Sequence, residues 1–188
     1  MTETVELAKL SEAHQAGYLR MIEDFEAAGE EFSFNDADTA RSDFGRFVAD
    51  LNAEAEGLGL PPGCVPQTTY VLLVGGEVVG EFRYRPTVAE PWTRNHGHVG
   101  YDISPSKRRR GYATEGLRLI RATAAADGLA GLVIPIAPDN LASRKVVAAN
   151  GGTLATAAAD VVEPDGEDLW WLPVTGQPSS QLTAAASP

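Results

Sequence analysis

Residues 99–114 read VGYDISPSKRRRGYAT, and the order of parts in that stretch decides how the rest of the chain is read. An apolar strand, predicted over residues 97–103, enters Ser104-Pro105, crosses the basic run Lys107-Arg108-Arg109-Arg110 and opens a helical pattern at Gly111-Tyr112-Ala113. A helix start carries main-chain N–H groups with no intrahelical acceptor, and the aligned peptide dipoles place partial positive charge there. Strand, small-residue turn and helix start therefore make a site for a pyrophosphate, held mainly by main chain. Gly111 admits phosphate where a Cβ would block it, Ala113 is the next smallest choice, and the neighbouring arginines add bulk charge.

Outward from this turn, the run Arg108-x-x-Gly111-x-Ala113 matches the Gln/Arg-x-x-Gly-x-Gly/Ala signature of the GNAT N-acetyltransferases, which the chain resembles over residues 69–172, most strongly over 97–152. Asn140-x-x-Ser143 and Asn150-Gly151-Gly152 follow in the order that family shows. The resemblance implies an α/β fold with a central mixed sheet and helices on both faces, and acetyl-CoA as co-substrate with no metal. It implies that Arg108, Arg109, Arg110, Gly111, Tyr112, Ala113 and Thr114 grip the pyrophosphate. It also implies that main chain at Tyr101, Asp102 or Ile103 pairs with pantetheine and faces an N–H to the thioester oxygen. Asn140 and Ser143 correspond to the family's second motif, which contacts the pantetheine arm; a plain helix N-cap at Asn140 is the other reading.

Acyl transfer to an amine needs a proton acceptor for the amine and a donor for the departing thiolate. Strands three and four offer Glu81, His98 and Asp102 as bases: Glu81 follows Gly80, where the family sometimes places a catalytic glutamate, and His98 has the more suitable unperturbed pKa. Many family members carry a tyrosine after the second motif as general acid. This chain has Arg144, Lys145, Val146 and Val147 there, which leaves Tyr101, Tyr84 or solvent. His96 and His98 form an H-x-H pair, but no third ligand stands at metal-site spacing.

The 188 residues suit one domain, read as residues 1–175, with a tail at 176–188 whose Gln, Pro, Ser, Thr and Ala offer no face to bury. Hydrophobic content of 44% and charged content of 22% are ordinary for a soluble chain. No membrane-length apolar run and no basic, apolar N-terminal signal is present, so a cytoplasmic protein is expected. A net charge of −11 disfavours nucleic acid and suits a cationic amine, and the isolated basic run fits a cofactor phosphate better than a nucleic-acid patch. Cys64 is the single cysteine, which excludes an intramolecular disulfide, and a nucleophilic role for it is weakly supported because no histidine is near in sequence.

In chain order the pattern predicts a strand at 5–10 and a helix at 12–28 with Leu19, Ile22 and Phe25 facing the core. The segment 29–36 comes next, where the resemblance makes Glu30, Glu31, Phe32, Phe34 and Asp36 candidates for acceptor contacts. One helix follows at about 38–56, striped by Phe44, Phe47, Val48 and Leu51. A hairpin is expected at 68–74 and 77–85 around Gly75-Gly76, with a bulge or close approach at Gly80. The helix from Gly111, a buried strand at 132–137, a helix capped at Asp139 or Asn140, and a closing hairpin at 153–162 and 167–174 complete the order. Two readings of function come from different classes. One is an N-acetyltransferase that joins acetyl to a primary amine of a small molecule or peptide in a ternary complex. The other is a non-catalytic acyl-CoA-binding module. The acceptor, the acyl chain length and whether the chain forms a homodimer are left open.

Overall fold

In the computed structural model, the described residues are 3–32, 35–87, 96–155 and 166–174. Phe34, residues 156–165, which hold most of the expected strand 153–162, and the tail at 176–188 lie outside them. Strand β1 (Val5–Lys9) leads through a 3-10 turn at Glu12–His14 into helix α1 (Gln15–Ala27), which buries Tyr18, Met21, Ile22 and Phe25. Leu19 is only partly buried.

The single helix expected next is two: α2 (Ala37–Ser42) and α3 (Phe44–Ala55). Asp43 separates them, at φ −151°, because its carboxylate accepts the Arg46 N–H and caps α3 as Asp36 caps α2. The predicted stripe of Phe44, Phe47, Val48 and Leu51 is buried.

Strands β2 (Thr68–Val74) and β3 (Glu77–Tyr84) form the expected hairpin, and β4 (Val99–Ile103) extends it to an antiparallel sheet in the order β1-β2-β3-β4. A register shift between Leu72 and Leu73 marks a bulge beside Gly80. Helix α4 (Tyr112–Ala126) follows the basic turn, then β5 (Gly131–Ile136), α5 (Leu141–Ala149), β6 (Thr153–Leu154) and β7 (Asp168–Pro173). These last strands form a second antiparallel sheet, β5-β7-β6.

The expected single mixed sheet is thus split between β4 and β5. Main chain joins them where the His98 N–H donates to the Val133 carbonyl at 2.8 Å, and the Val133 N–H donates to His98 Nδ1 at 2.9 Å. Along a strand, residues two apart turn their main chain to the same neighbour. The next such position on β5 is Pro135, which has no N–H, so the ladder stops and the strands part.

Helices cover both faces. One core packs Leu117, Ile120 and Ala124 of α4 and Val147 of α5 on Leu72, Phe82, Leu132 and Leu172. The other packs α1 and α3 on Val71, Leu73 and Val78. Alternating residues of β2 feed opposite cores, so this sheet is the wall between them. Among the described residues no helix is long and apolar enough to cross a membrane.

Candidate active site

The parting of β4 from β5 opens a cleft of about 680 Å³, walled by Val99, Gly100 and Tyr101 on one strand and Ile134 to Ala137 on the other. Leu60, Cys64, Val65 and Gln67 of the loop between α3 and β2, together with Asn35 and Glu54, line it as well. Arg83, Arg85 and His96 also line it.

Beyond the cleft, the basic turn ends at Gly111, the N-cap of α4, with φ +83°. A Cβ on Gly111 would meet nothing within 4 Å, so the open space in front of the helix start is kept clear. Arg109 also takes a left-handed conformation, φ 65°. Among the described residues, the main-chain N–H groups from Arg109 to Thr114 have no acceptor; the helix ladder begins with the Glu115 N–H donating to the Gly111 carbonyl at 3.1 Å. Arg109 and Arg110 are exposed.

Arg108 stands apart from its neighbours. Its guanidinium donates from both terminal nitrogens to Glu30 at 2.7 Å each, its Nε donates to the Ile103 carbonyl at 3.0 Å, and it lies 5.5 Å from the Phe25 ring centroid. This side chain ties the turn to the end of α1. Glu30 is thereby committed to Arg108, and Asp36 to its N-cap.

Tyr101 stacks on Phe82 with ring centroids 5.3 Å apart, and its hydroxyl reaches the Ser143 carbonyl at 3.5 Å. Burial pushes that hydroxyl up to about 12. Asn140 caps α5 by accepting the Ser143 N–H at 3.0 Å, and both residues line the cleft beside Tyr101. Tyr84 is elsewhere: its hydroxyl donates to Asp127 at the far end of α4. Arg144 pairs with Asp168.

The three base candidates separate. His98 sits in the seam, with Nδ1 already accepting the Val133 N–H, and burial followed by the nearby Arg85 cation lowers its pKa to about 4. Glu81 is buried behind the wall made by Asn35 and Arg83. Its carboxylate accepts from the Tyr18 hydroxyl, from Asn35 Nδ2 at 2.7 Å, and pairs with Arg83 Nε at 3.5 Å. Asp102 lies directly across from Glu81 in the β3–β4 register. Burial raises its pKa to about 7, against the pull of Arg83 and with a further push from Glu81. Asp102 and Ile103 do not line the cleft. Tyr18, Asn35, Arg83 and Pro135 escaped the sequence reading; the proline inside an otherwise central strand was the one legible signal.

A profile described as the acetyltransferase (GNAT) domain matches residues 5–153. The chain belongs to the GNAT acetyltransferase family. That membership makes it an enzyme of the N-acetyltransferase class. Among solved structures of the GNAT fold, the ribosomal L7/L12 alpha-N-protein acetyltransferase RimL, in complex with coenzyme A, is 18% identical with a TM-score of 0.60, over 89% of this chain and 92% of that one. RimJ of Mycobacterium smegmatis, in complex with CoA-disulfide, is 21% identical with a TM-score of 0.62, over 89% and 80%. The microcin C7 self-immunity acetyltransferase MccE, bound to acetyl-CoA and AMP, is 12% identical with a TM-score of 0.64, over 90% and 92%. Comparison with curated protein sequences gives no match. Among the described residues of this GNAT domain, no group of three or more His, Cys, Asp or Glu is placed to hold a metal.

Proposed function

We propose that this GNAT enzyme transfers acetyl from acetyl-CoA directly to a primary amine of a peptide or small molecule. The observation that carries the reading is the run of acceptorless N–H groups from Arg109 to Thr114, set at a helix start beside two exposed arginines. A pyrophosphate there satisfies those donors, and the pantetheine arm then follows the cleft between β4 and β5, past Asn140 and Ser143. The acetyl-CoA and coenzyme A complexes of MccE and RimL, on the same fold, support the same donor.

The acceptor ammonium gives up one proton, and its nitrogen forms the C–N bond at the thioester carbon. A second N–H proton leaves as the C–S bond breaks. The CoA thiolate takes a proton, yielding one amide and one thiol. Tyr101 is the acid this reading favours, since its hydroxyl keeps its proton and stands at the cleft wall. His98 serves as a clamp, since its acceptor nitrogen is already used.

The test is thiol release from acetyl-CoA over a panel of serine-initiated peptides, lysine peptides, polyamines and aminoglycosides. Turnover with at least one amine is expected. Acetyl-CoA binding seen as a raised thermal midpoint, with no thiol released from any amine, favours the non-catalytic module instead.

A further inference from the structure

Glu81 and Asp102 face each other across β3 and β4, on the side of the sheet that carries Tyr18 and Arg83. Two carboxyls share one close cation, Arg83. Partners are unequally divided between them: Tyr18 and Asn35 donate to Glu81 and Arg83 forms an ion pair with it, while Asp102 Oδ2 is buried and accepts no hydrogen bond among the described residues. A buried carboxylate oxygen without a donor costs more ionised than protonated, and two carboxylates in one low-dielectric site do not both ionise readily.

We propose that Glu81 and Asp102 act as one proton-sharing pair that takes the acceptor's proton, with Tyr18 as the positioning residue that keeps the charge on Glu81 and the exchangeable proton on Asp102. The proposal rests on the transferase reading and names its proton acceptor. The charged groups facing Asp102 are Arg83 and Glu81 from β3, Arg108 from the turn, and Glu30 from the end of α1; the last two neutralise one another. Glu81 faces Arg83, Tyr18 and Asn35. With Asp102 ionised, the amine's proton crosses from the cleft edge at Gly100 and Tyr101 through one water molecule to the Asp102 carboxylate, leaving Asp102 protonated beside ionised Glu81, and Asp102 later releases that proton to solvent. Burial raises both carboxyls, and Asp102 reaches about 7, where a base gains and loses a proton with equal ease.

The test is carbon-13 NMR titration of the side-chain carboxyls in the full chain, for wild type, Glu81→Gln and Tyr18→Phe. Wild-type Asp102 is expected to titrate near neutrality, and Glu81→Gln to lower its midpoint by about one pH unit or more, a tenfold change. Tyr18→Phe removes a donor from Glu81, so the high-pH titration should pass from Asp102 to Glu81. Retention of the acetyl-CoA thermal shift checks that each variant is folded. The acidic limb of kcat/KM, read with the fastest amine of the panel, should move to lower pH in Glu81→Gln. An Asp102 that titrates in the ordinary carboxylate range, or is unmoved by Glu81→Gln, overturns the pair. Turnover whose acidic limb ignores Glu81→Gln overturns its catalytic use while the transferase reading stands. Intact coupling with no amine turned over removes that use together with the transferase reading.

Discussion

At the scale of single residues, the left-handed Gly111 at the start of α4 was legible in the sequence, because a strand, a turn and a helix start leave few alternatives for a glycine there, and it is the residue on which the proposed donor site turns. Its φ of +83° is one that Asp and Asn tolerate better than other substituents. Gly111→Asp should therefore fold, yet its carboxylate faces the pyrophosphate and should abolish the acetyl-CoA thermal shift. Gly111→Asn, neutral and nearly the same size, should keep part of it. Equal shifts in both variants would show that charge at this turn does not touch the ligand. Arg108 was read as a phosphate ligand from the same motif. The structure gives its side chain to Glu30, 78 residues earlier in the chain, a pairing that no local pattern discloses. Glu81 was readable as a carboxylate on a strand after a glycine, but the donors around it, Tyr18 and Asn35, lie 63 and 46 residues away.

At the scale of elements, periodicity and turn chemistry found nearly every strand and helix, and failed where a side chain overruled the pattern. Asp43 cuts a helix that hydrophobic spacing joins, and Pro135 stops a ladder that an apolar run suggests. The seating of α4 on the sheet depends on Gly116, where an added Cβ would lie 2.3 Å from the Phe82 ring. Phe82 is fully buried and stacked on Tyr101, so it has little room to yield. In a helix, Ala for Gly gains about 1 kcal/mol of propensity, whereas overpacking costs about 1–3. The clash should win: Gly116→Ala should lower the denaturation midpoint, most visibly by disturbing the Tyr101 side of the cleft. A variant as stable as wild type would mean that α4 can lift from the sheet without cost.

At the scale of the whole molecule, two antiparallel sheets meet at one seam, and the groups at and beside it respond to acid in opposite directions. His98 in the folded chain holds a proton only near pH 4, against 6.5 unfolded, so the unfolded state binds more protons between those values. Its contribution to stability is complete above about 6.5 and is lost as pH falls toward 4, by roughly 3 kcal/mol. Asp102 is reversed. Its folded value of about 7 lies above the 3.8 of a free carboxyl, so its contribution is complete below 3.8 and is lost as pH rises through 7, by roughly 4 kcal/mol. In wild type the two slopes nearly cancel across that window, and a flat pH profile would hide both. Single variants separate them. His98→Asn, which can still accept the Val133 N–H but does not titrate, should gain on wild type as pH falls from 6.5 to 4. Asp102→Asn should gain on wild type as pH rises through 7. Urea denaturation at a series of pH values reads both differences. If the two variants track wild type in parallel, neither group is held away from its ordinary pKa, and the seam is not the acid-sensitive joint of this fold.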